Sequence, residues 1–342
     1  MNPTGTNPSQ ILRIVADQID AERDEIAGII HSRNTAVNLS KLWEEQYGNL
    51  ATQHTAILRQ WSEPRDGVRS VPISSTIRWK DKPLRDFAER AGIEYTPMVY
   101  QQDIELAGED GTRDNNLGID EERLVATLEK MPEEPGDAHY PAAFLDWEGK
   151  RRDALFAGDS AADDDFIRAL EIAHDVRPAY AWAHYDLIPA KRSMSDEKWA
   201  WACDNAAAVI EAKHDDGEYL NQVITLAMYR FYPSSKFSNA RGVGGWWSHN
   251  IAHDLACIHK AKEVADGRRV VAMVMDQYHG GGESTGDPME DIEFESMIRL
   301  LIDAGADEIC WWQQDHAVSV ERGKNTIRSL VRAATGVQLW EK

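Results

Sequence analysis

The run Pro141-Ala142-Ala143-Phe144-Leu145-Asp146-Trp147-Glu148-Gly149 reads as a buried strand that ends in two carboxylates one residue apart. Side chains alternate along a strand, so Asp146 and Glu148 point to one face and Trp147 to the other. Two acids this close repel each other, which raises the pKa of one of them. A protonated carboxylic acid beside a carboxylate is the equipment that glycosidic bond cleavage requires. Taken alone, an Asp-x-Glu pair is better explained by ordinary strand-end solvation. The surroundings have to decide.

On either side of this run the pattern alternates between strand and helix. Strands are expected at 68–77, 93–101, 142–148, 179–185, 223–232, 269–277 and 308–313. Helices are expected at 83–91, 120–131, 163–174, 196–212, 251–265, 292–304 and 326–334. Apolar strands separated by helices mean a parallel sheet covered by helices. No Gly-rich phosphate loop follows the first strand, which disfavours a dinucleotide-binding open sheet. Polar and aromatic residues gather after the strands, as they do at the C-terminal face of a barrel. The fold class expected is therefore α/β: a TIM-like (β/α) barrel of seven strands over residues 65–342. Residues 1–64 form a separate helical extension. Within it Ile11, Val15, Ile19, Ile26 and Ile30 recur at helical spacing, and a second apolar run follows Asn34. A helical hairpin or an arm for oligomerisation or docking through residues 9–61 both fit, and Ser62-Glu-Pro-Arg-Asp-Gly67 ends it.

The chain has 342 residues, with 37 basic and 58 acidic side chains and a net charge of −21. That balance argues against nucleic acid, anionic membranes and polyanions as partners. Cys203, Cys257 and Cys310 are far apart in apolar patterns, which predicts buried free thiols rather than a disulfide framework. No apolar run reaches membrane-span length and no signal peptide is legible at the N-terminus, so synthesis in the cytoplasm is expected, with later release or assembly left open. The sequence implies no cofactor and no metal.

The candidate site is read from the strand ends. Tyr100 and Gln101 close the second strand, and Asp146 and Glu148 the third. Trp182 and Tyr185 lie on the fourth, Tyr232 on the fifth, and Trp246 and Trp247 in the loop beyond it. Asp276 and Tyr278 end the sixth, and Trp311, Trp312 and Gln313 the seventh. Aromatic faces interleaved with amides and hydroxyls suit a neutral, polyhydroxylated ligand. Each aromatic by itself is more often core than site; their recurrence at one end of successive strands is the signal.

This order of motifs resembles the hyaluronidase-like glycoside hydrolases, a family built on an irregular seven-stranded barrel. Phe144-Leu-Asp146-Trp147-Glu148 is similar to its acidic strand. Arg177-Pro178-Ala-Tyr-Ala-Trp182-Ala-His-Tyr185 with Pro189, then Phe231-Tyr232-Pro233-Ser234, then Gly305-Ala306-Asp-Glu-Ile-Cys-Trp311 resemble the strands that follow, in the right order. The resemblance covers roughly residues 120–320. It implies that Glu148 is the general acid/base and that Asp146 orients the substrate's own 2-acetamido group, which attacks in place of an enzyme nucleophile. It implies that Tyr185 and Tyr232 hold the acetamido group and the sugar, and that Trp311 forms the pocket floor. The chain departs from the family where Gly149-Lys150-Arg151-Arg152 replaces an Arg-Pro, in lacking the family's disulfides, and in its N-terminal helices. With a charge of −21, a neutral or cell-wall polymer containing N-acetylhexosamine is the expected substrate rather than hyaluronan. Two other readings compete. One is a structural or glycan-binding component of a larger assembly, such as a phage particle, on a glycosidase-like barrel. The other is a metal-dependent hydrolase using His249, His253, Asp276, His279, Asp315 or His316, although no spacing among them matches a metal motif.

Overall fold

The computed structural model describes residues 69–77, 81–109, 111–113, 116–135, 142–191, 194–228, 243–277, 288–289, 291–312 and 319–336, with the backbone alone for 243–253, 292 and 293. The helical arm expected over residues 9–61 and the boundary after it lie outside these residues. Among the described residues the order of elements is β1 (Ile73–Ser75), α1 (Lys82–Arg90), β2 (Ile93–Tyr95), β3 (Met98–Tyr100), α2 (Glu121–Leu128), β4 (Ala142–Asp146), α3 (Gly149–Phe156) and α4 (Ser160–Val176). It continues through β5 (Ala181–His184), α5 (Asp196–Ile210), β6 (Val223–Ala227), α6 (Val243–Val264), β7 (Arg269–Val274), α7 (Asp291–Ala304), β8 (Glu308–Trp311) and α8 (Val320–Thr335). The alternation read from the sequence is the alternation observed.

Among the described residues every strand pairing is parallel, and the ladders form two sheets, β2-β1-β8-β7-β6 and β3-β4-β5. The expected second strand is two strands. Thr96 and Pro97 separate them, because proline brings no N–H to a ladder. Thr96 donates its N–H to Ser75 O, and Phe144 donates to Pro97 O, so one extended segment serves both sheets. Seven expected strands thus become eight, in the same spatial order.

The second junction, between β5 and β6, has no ladder. Side chains bridge it instead: His184 N–H donates to Asn221 Oδ1 (2.9 Å), and Asp186 N–H to Thr225 Oγ1 (3.0 Å). Ala227 N–H donates to Asp186 Oδ1 (3.0 Å), and the Thr225 hydroxyl to His184 O (2.8 Å). One main-chain bond, Gln222 N–H to Trp182 O (2.8 Å), joins them. Strand neighbours follow one another around both sheets, but the backbone hydrogen bonding is not continuous.

Helix boundaries follow capping chemistry. Asp120, Asp159, Ser195 and Ser319 each accept a main-chain N–H at the start of α2, α4, α5 and α8, satisfying a donor the helix cannot. On α8 the buried Ile327, Leu330, Val331 and Ala334 fall at helical spacing and face the sheet, and Gly336 ends the helix at φ 72°. The three cysteines are buried free thiols. No described helix is long and apolar enough to cross a membrane.

Candidate active site

The strand registers carry one face around both sheets. Ser74 pairs with Cys310 and with Glu94, Tyr100 with Asp146, Met98 with Phe144, and Phe144 with Ala183. Their side chains share one side of the sheets. The opposite side carries Leu145, Trp147, Trp182 and His184, and it packs on the helices. Trp147 stacks on Phe166 of α4 with ring centroids 4.9 Å apart, and His184 Nε2 donates to Phe166 O (2.7 Å). The sequence-derived orientation of the acids and Trp147 is the one observed.

Asp146 ends β4 and is buried. Burial first, and then the charge of Glu148, push its carboxyl up to about 8; Arg152 opposes the shift and Asp186 adds to it. Burial therefore favours the neutral form of Asp146. Its Oδ1 meets no hydrogen-bond partner among the described residues. Two residues on, Glu148 has an extended backbone and precedes the first turn of α3, and its side chain is 36% exposed. Gly149 turns the chain sharply at φ 68°, a conformation in which an L side chain is strained. The turn starts α3 directly behind the acids.

That helix brings to the acids a residue outside the expected site. Arg152 lies one helical turn beyond Glu148, with Nη1 3.0 Å from Glu148 Oε1 and 3.3 Å from Asp186 Oδ2. Its neighbour Arg151 turns the other way, to Asp165, Asn116 Oδ1 (2.8 Å) and Ala161 O (2.6 Å), and fastens α3 to α4. Asp186 follows β5 directly, is buried, and has φ 57°. An arginine at i+4 from the glutamate was the available signal for the first of these. Nothing in the sequence marked Asp186 as its partner.

The structure gathers some of the other candidates here. Tyr100 lies across from Asp146 on β3, half-exposed. Tyr185 follows the Leu145–His184 pair, which puts it in line with Asp146, and its N–H donates to Leu145 O. Other candidates have different employment. Trp182 is fully buried on the helix side and donates its indole N–H to Arg177 O (2.9 Å), so it is core and not site lining. Gln101 donates its amide to Glu105 Oε2 (2.7 Å) and Arg113 O (2.8 Å), holding the loop after β3 together.

Trp311 shares its face with Ile73 and Val274 and is fully buried. Its indole lies 3.2 Å from Asp276 Oδ1, and Asp276 is in turn held by Thr326 Oγ1 (2.7 Å) and Arg322 Nη2 (3.2 Å) of α8. Trp311 and Asp276 are therefore turned to α8 rather than to the face of Asp146. Alternation brings Trp312, partly buried, to that inner face instead. Trp246 and Trp247 lie in α6 where the backbone alone is described. Tyr232, Tyr278 and Gln313 lie outside the described residues, as do His279, Asp315 and His316 of the metal reading. No group of three potential metal ligands occurs among the described residues.

No family model matches the chain, and no curated protein does. Among solved structures, bee venom hyaluronidase in a monoclinic crystal form is similar over 77% of this chain and 99% of its own, with a TM-score of 0.51 at 12% identity. Bee venom hyaluronidase in complex with a hyaluronic acid tetramer is similar over 74% of this chain and 93% of its own, with a TM-score of 0.47 at 13% identity. At such identity the likeness is one of fold. The chain has the fold of a hyaluronidase, the glycoside hydrolase architecture that its strand-end motifs resemble.

Proposed function

We propose that this chain is a glycoside hydrolase that cleaves an N-acetylhexosamine-containing polysaccharide, with retention of configuration and with assistance from the substrate's acetamido group. The observation that carries the reading is the pair at the end of β4: a buried Asp146, one oxygen of which meets no partner among the described residues, two residues before a half-exposed Glu148. Burial, and after it the Glu148 charge, favour the protonated form of Asp146, its carboxyl being pushed up to about 8. Cleavage needs that proton on Glu148, which delivers it to the leaving oxygen. Its transfer leaves Asp146 ionised, able to accept the acetamido N–H and orient the carbonyl oxygen toward the anomeric carbon. Acids at i and i+2 on one strand face cannot flank a sugar from opposite sides, so a two-carboxylate displacement is disfavoured and an internal nucleophile fits.

Tyr100 on β3 and Tyr185 just past β5 supply hydroxyls at the acetamido end, and the family resemblance adds Tyr232. Trp312 takes the floor that the family resemblance gave to Trp311. The charge of −21 favours a neutral or cell-wall polymer over a polyanion.

The test is reducing-end release from peptidoglycan, chitin and hyaluronan by the wild type and by Glu148→Gln. Release that falls by about 10³-fold in the variant supports the assignment, that being the scale of a general acid's contribution. Equal release by both would make Glu148 plain strand-end solvation, and silence on every polymer would favour a glycan-binding or assembly role.

A further inference from the structure

The two oxygens of Asp186 do different work. Oδ1 accepts the Ala227 N–H (3.0 Å) and so helps to join β5 to β6. Oδ2 faces the site, 3.3 Å from Arg152 Nη1, and the same nitrogen lies 3.0 Å from Glu148 Oε1. The anchor itself is firm. Asp186 is 3% exposed, its own N–H is held by Thr225 Oγ1 (3.0 Å), and its φ of 57° is a conformation that Asp and Asn tolerate better than other L residues.

Glu148, by contrast, has little to fix it. It precedes α3 with no side-chain capping bond, and among the described residues the ion pair that holds its carboxylate is Arg152. Phe156 lies 6.0 Å beyond the guanidinium on the same helix. A bridging arginine between a rigid acid and a loose one transmits the position of the first to the second.

We propose that Asp186 is a positioning residue for Glu148, acting through Arg152. It holds the guanidinium in place so that the Glu148 carboxyl is presented to the glycosidic oxygen in one orientation. This rests on the reading of Glu148 as the acid, and it adds two residues that the acidic strand motif does not contain.

Asp186→Asn is the informative variant. The amide oxygen keeps the Ala227 bond and asparagine tolerates the backbone, while the amide NH₂ cannot accept from Arg152. Steady-state kinetics are compared for the wild type, Arg152→Gln, Asp186→Asn and the double variant, on whichever polymer is cleaved. Each single change is expected to lower kcat about 30-fold with KM within about threefold, and the double variant to be no worse than the poorer single one. Arg152→Lys restores part of the loss. Losses that multiply in the double variant, or that fall on KM alone, overturn the proposal.

A second readout needs no substrate: the Asp146 carboxyl followed by ¹³C NMR titration. Arg152 lowers this titration by more than Asp186 raises it. If Asp186→Asn releases the guanidinium, the midpoint rises above about 8; if the guanidinium stays in place, the midpoint falls, and the proposal is overturned. Should the wild type cleave none of the polymers, the glycosidase reading fails while this titration still decides whether Asp186 holds Arg152.

Discussion

Asp146 and Asp276 occupy comparable places, at or just past the C-terminal ends of β4 and β7, and they are similarly buried at 9% and 4% exposure. Their surroundings differ. Asp276 takes donors from Trp311, Arg322 and Thr326, which tie α8 to the end of the sheet. Asp146 has a glutamate for a neighbour and an oxygen with no partner among the described residues. Burial is common to both, so burial does not distinguish a site from a staple. The supply of donors does. A saturated carboxylate is spoken for by the fold, and an undersupplied one is available to a ligand.

The sharpest way to break this contrast is Asp146→Asn. Hydrolysis is expected to fall by about 10²–10³-fold, the range for a group acting on proton position. Stability should move the other way. The folded carboxyl, at about 8, lies above its unfolded value of about 3.9, so its contribution is full below about pH 4 and is lost as the pH rises through about 8. Asparagine does not titrate. The variant's Tm should match the wild type near pH 4 and exceed it increasingly up to about pH 8. A variant less stable than the wild type at pH 8 would show that the Asp146 carboxylate is supported by partners beyond those described.

Asp276→Ala should do the opposite, lowering stability by about 3 kcal/mol because Arg322 loses its buried partner and the Trp311 indole and Thr326 hydroxyl each lose an acceptor. Urea denaturation measures this. The activity per folded molecule is expected to stay within about twofold of the wild type; a kcat collapse in a folded variant would make Asp276 part of the site after all. Trp312→Phe, which keeps an aromatic side chain on the core, should raise KM by less than about tenfold, the size of one lost stacking contact, with a smaller loss of Tm than truncation to alanine. Gly149→Ala has the smallest effect, about 1 kcal/mol of stability from the left-handed turn, with a kcat loss only if the acids move with it.

The fold was readable because its signals are local. Alternating apolar strands, Asp and Ser caps, and helical spacing on α8 each operate within a few residues, and β4 with its acids was legible down to the direction of Trp147. What failed to show depends on partners distant in sequence. Arg152 and Asp186 are 34 residues apart, and neither is unusual until β5 is laid beside β4. Trp311 and Trp312 are adjacent, and the sequence does not say which one faces the barrel interior; the register with Ser75 and Val274 does. Trp182 looked like site lining because it lies on the right strand, but it is on the wrong face of it. The division of the second strand was signalled by Pro97 and passed over, since an edge of one sheet and the start of another look alike in one dimension.

In an ordinary ladder the partners are main-chain atoms, which every residue but proline carries in full, so substitutions other than to proline leave them in place. The β5–β6 seam is built otherwise, its amides served by Asn221, Thr225 and Asp186. Three codons therefore govern how these two strands meet, directly beside the acids. Single changes there can shift Asp186 and the Arg152 it contacts while leaving the other strand pairings untouched, a form of adjustability that a fully laddered barrel lacks.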